Sequence, residues 1–369
     1  MSAPTPGPSI ESVEASAFTI PAEQPEQDGT LKWSKTTLLL VQARAGGATG
    51  TGYSYTHPAA AAVVNSLLAG VVRGHDPLAA GRAWAAMGRA VRNFGQTGLV
   101  STAISAVDIA LWDLKARLLS RPLVDVLDAV HDAVPVYGSG GFCNYTDRQL
   151  AEQLAGWVQA GIPRVKMKTG ADPGRDRQRL RAARDAVGDG TELFVDANGA
   201  FTRADAVDWA GRYAEFGVRW YEEPVSSDDL AGLRLVRDRA PGGMSVAAGE
   251  YGWNLPYFQR MLDAGAVDCL QADVTRCGGI SGFLRAAALC DARSADLSAH
   301  CAPQLSAHAC TAVWHLRHLE YFHDHNRIEH LAFDGCLEPE AGGVLRPDRT
   351  RPGHGLEVRW PDLEKWRVQ

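Results

Sequence analysis

The 369-residue sequence predicts an α/β protein, a (β/α)8-type TIM-like barrel preceded by an N-terminal α+β capping domain. Three observations carry this prediction. From Val134 onward, eight short strand-like cores recur at intervals of roughly 25 residues, which leaves room for a strand, a helix and two short loops each. Several cores break off into charged residues, as buried strands do when their last side chains emerge at an open rim. No Gly-x-Gly-x-x-Gly follows a first strand, which disfavours an open doubly wound sheet; the GSGG at 138–141 reads as a tight strand exit.

Residues 1–130 form the capping domain and lack the strand and helix alternation of the barrel. Ile10 to Ile20 and Lys35 to Arg44 read as antiparallel strands. The polar, proline-containing stretch 21–33 reads as a loop, and the glycine-rich stretch 46–58 as a turn carrying Tyr53 and Tyr55. Long loops in compact domains are more often functional than idle, so both are read as a lid over a neighbouring site. From Pro58 to about Leu127 the apolar spacing is helical.

The barrel spans 131–325, with cores at VPVYGSGGF, RVKMKT, LFVDAN, RWYEEP, SVAAGE, CLQAD, DLSAH and HLEYF. Between the first two, Thr146 and Gln149 fit a capping box, and Leu150, Leu154, Trp157 and Val158 share a helical face. Past Tyr321 the period fades. The Gly- and Pro-rich segment 326–369 is expected to return to the capping domain.

A net charge of -6 offers no basic field, so nucleic acid is not expected as a partner. The apolar run Ala59–Val72 contains Asn65 and is too short to span a bilayer, so no membrane association is expected either. Seven cysteines without a CxxC pair, and a first segment without a basic-then-apolar leader, predict reduced thiols in a cytoplasmic protein.

The chemistry is written at the strand ends. Asp196, Glu222 and Glu250 close three successive predicted strands, where a βα barrel assembles its active site. Three hard oxygen donors suit one Mg²⁺. Only six of the 37 basic residues are lysine, and two of those, Lys166 and Lys168, lie two apart on one strand, hence on one face. Placed inward, they oppose the carboxylates, and each makes the other easier to deprotonate. Asp273 and His300 end strands one unit apart. A lone histidine there is more often structural, but a carboxylate at the same level fixes its tautomer and raises its basicity. Bases of two kinds around a cation point to proton removal next to a carboxylate, through an enolate.

Together VKMKTG, VDAN, YEEP, AAGE, LQADVTRCGG, SAH and HLEY, with SAVDIALWDLKAR earlier in the chain, resemble the enolase superfamily, specifically its mandelate racemase subgroup. The resemblance covers essentially the whole chain. It implies Mg²⁺ ligands at Asp196, Glu222 (rather than Glu223) and Glu250. It further implies Lys168 as base on one face, assisted by Lys166, the His300 and Asp273 dyad on the other, and Asn198 and Glu320 on the substrate carboxylate. In similar proteins the two N-terminal loops cover the barrel mouth. The absence of lysine from 169 to 364 disfavours muconate-lactonizing and dipeptide-epimerising chemistry, which uses a second lysine on the sixth strand. One departure is LWDLKARLLSRPL, which lacks the glycines that relatives commonly have there.

The expected activity is therefore acid-sugar (aldonate or aldarate) dehydration, with racemisation or epimerisation of a 2-hydroxy acid as the alternative. The expected partner is a small carboxylate substrate, and a homo-oligomer is expected. Arg276, Gln304, His323 and Asp324 are candidates for reading hydroxyls, and Trp33, Tyr53 and Tyr55 for an aromatic acid. Two further readings are a zinc hydrolase built on histidines 315, 318, 323, 325 and 330, which leaves the acids unexplained, and a non-catalytic carboxylate-binding barrel.

Overall fold

A computed structural model describes residues 7–368. In its N-terminal part β1 (Ser12–Gln27), β2 (Lys32–Ala45) and β3 (Ala48–Tyr55) form an antiparallel sheet against the helix Leu99–Leu118. Both stretches expected to be loops are largely strand. Residues 21–27 extend β1 beyond an irregular pairing between Pro21 and Glu26. Prolines are tolerated there because β1 is an edge strand and the missing donors face no partner. The glycines of β3 serve packing, since a Cβ on Gly50 or Gly52 would lie 2.3 Å from a backbone oxygen of the facing helix, Ala110 or Ala106.

The β1–β2 turn is tightened by Asp28 Oδ1, which accepts from the backbone N–H of Thr30 (2.7 Å) and Leu31 (2.6 Å). This tip docks on the barrel. Cys143 N donates to Gln27 O at 2.7 Å, and Gly29 lies so close to the backbone oxygens of Ala197 and Thr169 that no side chain fits.

Eight parallel strands complete the barrel wall, β4 (Val134–Gly140), β5 (Arg164–Lys168), β6 (Glu192–Asp196), β7 (Val218–Glu222), β8 (Ser245–Ala248), β9 (Cys269–Ala272), β10 (Asp296–Ala299) and β11 (Leu316–Phe322). They pair in chain order and β11 pairs with β4, closing the barrel and excluding an open sheet. All eight overlap the expected cores, with β6, β7 and β11 beginning one or two residues earlier. Alternation sets what each residue faces. Val165, Met167, Leu193 and Val195 join the large core, while Tyr137, Phe194, Trp220, Ala247 and Cys269 form a separate cluster. Lys166 and Lys168 alternate with Val165 and Met167 and so point inward.

The expected capping box is present, with Gln149 N donating to Thr146 Oγ1 (3.2 Å) and Thr146 N to Gln149 Oε1 (3.0 Å). A further expectation fails. The chain keeps its period past Tyr321, because β11 is followed by the helix His323–Ala332. Its buried face includes Asp324, His325 and Glu329, so apolar spacing could not reveal it. Residues 353–358 run back along the capping domain; His354 N donates to Asp113 Oδ1 (2.9 Å), and Arg117 pairs with Glu357 (2.8 Å). Among the described residues all seven cysteines are free, and no helix is long and apolar enough to cross a membrane.

Candidate active site

Register places Lys168, Asp196 and Glu222 at one level, because Lys168 pairs with Asp196 across β5 and β6, and Asp196 with Glu222 across β6 and β7. Glu250 follows β8. The three carboxylates are buried, and each offers an oxygen within 4.8 Å of the others. Glu223, one residue past β7, is outside this cluster; its Oε1 is buried without a hydrogen-bond partner.

Lys166 sits under the cluster, its Nζ 2.6 Å from Glu222 Oε1, 2.8 Å from Glu320 Oε1 and 3.5 Å from Asp196 Oδ2. Lys168 Nζ donates to Asp196 Oδ2 at 2.5 Å. Burial disfavours both ammonium ions, yet the carboxylates around them prevail and raise both pKa values. Lys166 does pull Lys168 downward, but by less than Asp196 pulls it up. The expectation that one lysine brings the other toward neutrality is thus not met by the protein's own charges. Burial pushes the Glu222 carboxyl up to about 8 against the pull of Lys166, with Asp196 and Glu320 adding to the rise. Burial is the largest cause and repulsion by the neighbouring acids adds to it, so Glu222 is short of compensating positive charge. A divalent cation held by Asp196, Glu222 and Glu250 would supply it and release Lys168 from Asp196. The donor set fits: oxygen only, three carboxylates, and Asn198 Oδ1 buried without a hydrogen-bond partner.

The opposite flank is built on β9 and β10. Asp273 Oδ1 accepts from Thr275 N and Oγ1 (2.7 Å each), and Asp273 Oδ2 lies 2.7 Å from His300 Nδ1. The proton is thereby held on Nδ1, and Nε2 faces Glu250 Oε2 (3.1 Å) and Glu320 Oε2 (3.5 Å). Burial opposes the imidazolium, but Cys301, Glu250, Glu320 and the Asp273 bond outweigh it and raise the His300 pKa well above its usual value. An amine touches the first acid of the arc and an imidazole the third. Four non-glycine residues at this rim, Asn198, Glu223, Cys301 and Ala302, have positive φ (39 to 51°), strain that clusters where function fixes the backbone.

Above these groups lies a cavity of about 520 Å³, lined by Lys168, Asn198, Glu250, His300 and Glu320 below and by the capping sheet above. Trp33 lines it, with Nε1 donating to Glu26 (2.7 Å), and so does Tyr55, stacked on His325 at 3.5 Å. Tyr53 does not. Its ring is fully buried and its hydroxyl donates to Glu329 at 2.6 Å, because it shares the face of Tyr55 on β3 but sits two residues further from the strand end, over the helix His323–Ala332. Of the four polar candidates only Arg276 lines the cavity. Gln304 is held by Leu337, Asp324 by Thr36 and Arg327, and His323 by Glu23. Sequence reading missed Thr19, Thr37, Tyr251 and Cys301, which line the cavity. Tyr251 and Cys301 directly follow expected site residues and were within reach; the threonines lie in another domain and carry no local signal. The five histidines proposed for zinc belong to neither metal-competent cluster of the described residues.

A closed parallel barrel with a capping sheet over acids at successive strand ends is the layout of an enolase-like enzyme. Residues 149–363 match the family model described as enolase C-terminal domain-like, and residues 13–128 the N-terminal domain of mandelate racemase / muconate lactonizing enzyme. The chain therefore belongs to the mandelate racemase/muconate lactonizing enzyme family. It is 34% identical over 332 residues to 3,6-anhydro-alpha-L-galactonate cycloisomerase of Streptomyces coelicolor, covering 87% of this chain and 89% of that one. A mandelate racemase/muconate lactonizing enzyme-like protein from Rubrobacter xylanophilus superposes with a TM-score of 0.96 at 56% identity, covering 98% of this chain and 100% of that one. L-talarate/galactarate dehydratase from Salmonella typhimurium LT2, crystallised with Mg and L-lyxarohydroxamate, gives 0.89 at 27% identity over 98% and 94% of the two chains.

Proposed function

We propose that this protein is a Mg²⁺-dependent acid-sugar dehydratase that removes the α-proton of a carboxylate substrate and expels a β-hydroxyl as water. The observation carrying this reading is the arc of three buried carboxylates with Lys168 at one end and the His300–Asp273 pair at the other. Asp196, Glu222 and Glu250 would hold the cation. When bound, Mg²⁺ supplies electrostatic stabilisation to the enolate that proton loss creates. Lys168, freed of Asp196, takes the α-proton, and Lys166 keeps Glu320 and Glu222 in place. His300, with Nδ1–H held by Asp273, delivers a proton from Nε2 to the departing hydroxyl. Asn198 and Glu320 orient the substrate carboxylate, Glu320 requiring a proton or water between the two.

A second reading is favoured by the 34% identical cycloisomerase. The same enolate can expel a β-oxygen tethered in a ring rather than water, with the same proton transfers. The deciding experiment is a screen of mono- and diacid sugars, with their lactones and anhydro forms, in Mg²⁺, followed by mass spectrometry. Loss of one water supports dehydration, and an unchanged mass with a new carbonyl supports ring opening. Lys168→Ala and His300→Asn are each expected to lose turnover by about 10²-fold or more. Full turnover by Lys168→Ala on the substrate so found refutes its role as base.

A further inference from the structure

His300, Cys301 and Glu320 form a second cluster beside the carboxylate arc. Cys301 has no part in the chemistry above, yet it is buried, lines the cavity and is held at φ 51°. Its Sγ lies 3.3 Å from His300 Nε2 and 3.4 Å from Glu320 Oε2, and those two atoms are 3.5 Å apart. Zinc bonds of about 2.0–2.3 Å in tetrahedral geometry put neighbouring ligand atoms about 3.3–3.6 Å apart. The triangle in this protein already has that size.

We propose that His300 Nε2, Cys301 Sγ and Glu320 Oε2 form a second metal site, selective for thiophilic divalent ions such as Zn²⁺, whose occupation shuts the enzyme off by capturing the His300 nitrogen.

The surroundings are those of a ligand set. Asp273 holds His300 Nδ1–H at 2.7 Å, so Nε2 is the nitrogen that faces the cluster and takes the metal once its proton is lost, as in carboxylate–histidine–metal arrangements. Glu320 Oε1 is anchored by Ser139 Oγ (2.6 Å) and Lys166 Nζ (2.8 Å), which leaves Oε2 for the metal. Ser306 Oγ donates to Cys301 O at 2.8 Å and fixes the strained turn. On binding, the S–H bond of Cys301 and the Nε2–H bond of the His300 imidazolium both break, two protons leave to solvent, and sulfur–metal and nitrogen–metal bonds form; the carboxylate binds as it stands. Thiolate softness separates this site from the all-oxygen arc, so Mg²⁺ at the first site does not compete for the second. The metal site stands on these three side chains alone, whereas its inhibitory effect rests on the dehydratase reading.

The full-length protein, kept in saturating Mg²⁺, is titrated with Co²⁺ and followed by absorbance for a thiolate-to-cobalt charge-transfer band. The expected result is a band saturating at one equivalent, absent in Cys301→Ser and in Cys301→Ala, with both variants keeping the parent's thermal melt. With a substrate in hand, Zn²⁺ inhibits the parent, and Cys301→Ser needs at least about tenfold more Zn²⁺ for the same inhibition. No band in the parent, a band that survives in the folded variants, or equal Zn²⁺ sensitivity overturns the proposal. If no acid is turned over, the dehydratase reading fails while the cobalt titration still decides the metal site.

Discussion

Replacing Lys166 by methionine tests whether the site is short of positive charge. Methionine keeps most of the buried volume but removes the ammonium that lies 2.6, 2.8 and 3.5 Å from Glu222, Glu320 and Asp196. Removing one partner of a buried ion pair costs about 3–5 kcal/mol, because the other charge is left uncompensated. Three carboxylates share this cation, which puts the effect at the upper end in the presence of a chelator. For a chain of this length that corresponds to a fall in melting temperature of roughly 5–10 °C. Mg²⁺ at about a hundredfold over its Kd adds about 2.7 kcal/mol to any form that binds it. In the variant it has no neighbouring ammonium to repel it and more unpaired acid to satisfy, so its stabilisation exceeds that of the parent. Scanning calorimetry of both proteins with chelator and with Mg²⁺ supplies the four values. A variant that melts with the parent in chelator, or that gains less from Mg²⁺, refutes the charge argument.

Glu329 is buried under Tyr53, and burial pushes its carboxyl from 4.5 up to about 8. Because the folded pKa is raised, the unfolded chain ionises first, and stability from this group falls as pH rises from about 4.5 to about 8. Glu329→Gln removes the titration, so the stability of the variant relative to the parent should rise by about 3 kcal/mol between pH 4.5 and 7, measured by urea unfolding at each pH. Equal pH profiles mean that Glu329 is not buried neutral. Gly52→Ala places a Cβ 2.3 Å from Ala106 O and should cost about 1–3 kcal/mol by overpacking in a chemical denaturation series; a neutral change means the strand and helix are further apart. Asp273→Asn leaves His300 without its anionic partner, and turnover should drop about 10²- to 10⁴-fold while Mg²⁺ affinity, read by calorimetry, holds. Loss of Mg²⁺ binding in that variant would place Asp273 with the metal ligands instead.

The eight barrel strands were legible because each carries its own local signal, a short apolar run ending in a charged or polar residue. The inward lysines were legible for the same reason, since residues two apart on a strand share a face whatever the rest of the chain does. The helix His323–Ala332 was not, because its buried side presents Asp324, His325 and Glu329 in place of the apolar residues that spacing counts. Nor was the capping hairpin, whose glycines and prolines carry the local mark of loops but serve close packing and an unpaired edge.

By itself, then, the sequence determined the strand ends and the chemical types that stand on them: acids on β6 and β7 and after β8, lysines on β5, an acid and an imidazole after β9 and β10. Only the tertiary structure decided which residues share the cavity, admitting Trp33, Tyr55 and Cys301 and turning Tyr53 away. The physical reason is range. The face a strand residue takes follows from backbone geometry over a few residues, whereas the neighbours it meets depend on how β11 closes on β4 and where the β1–β2 turn lands, contacts between segments more than a hundred residues apart.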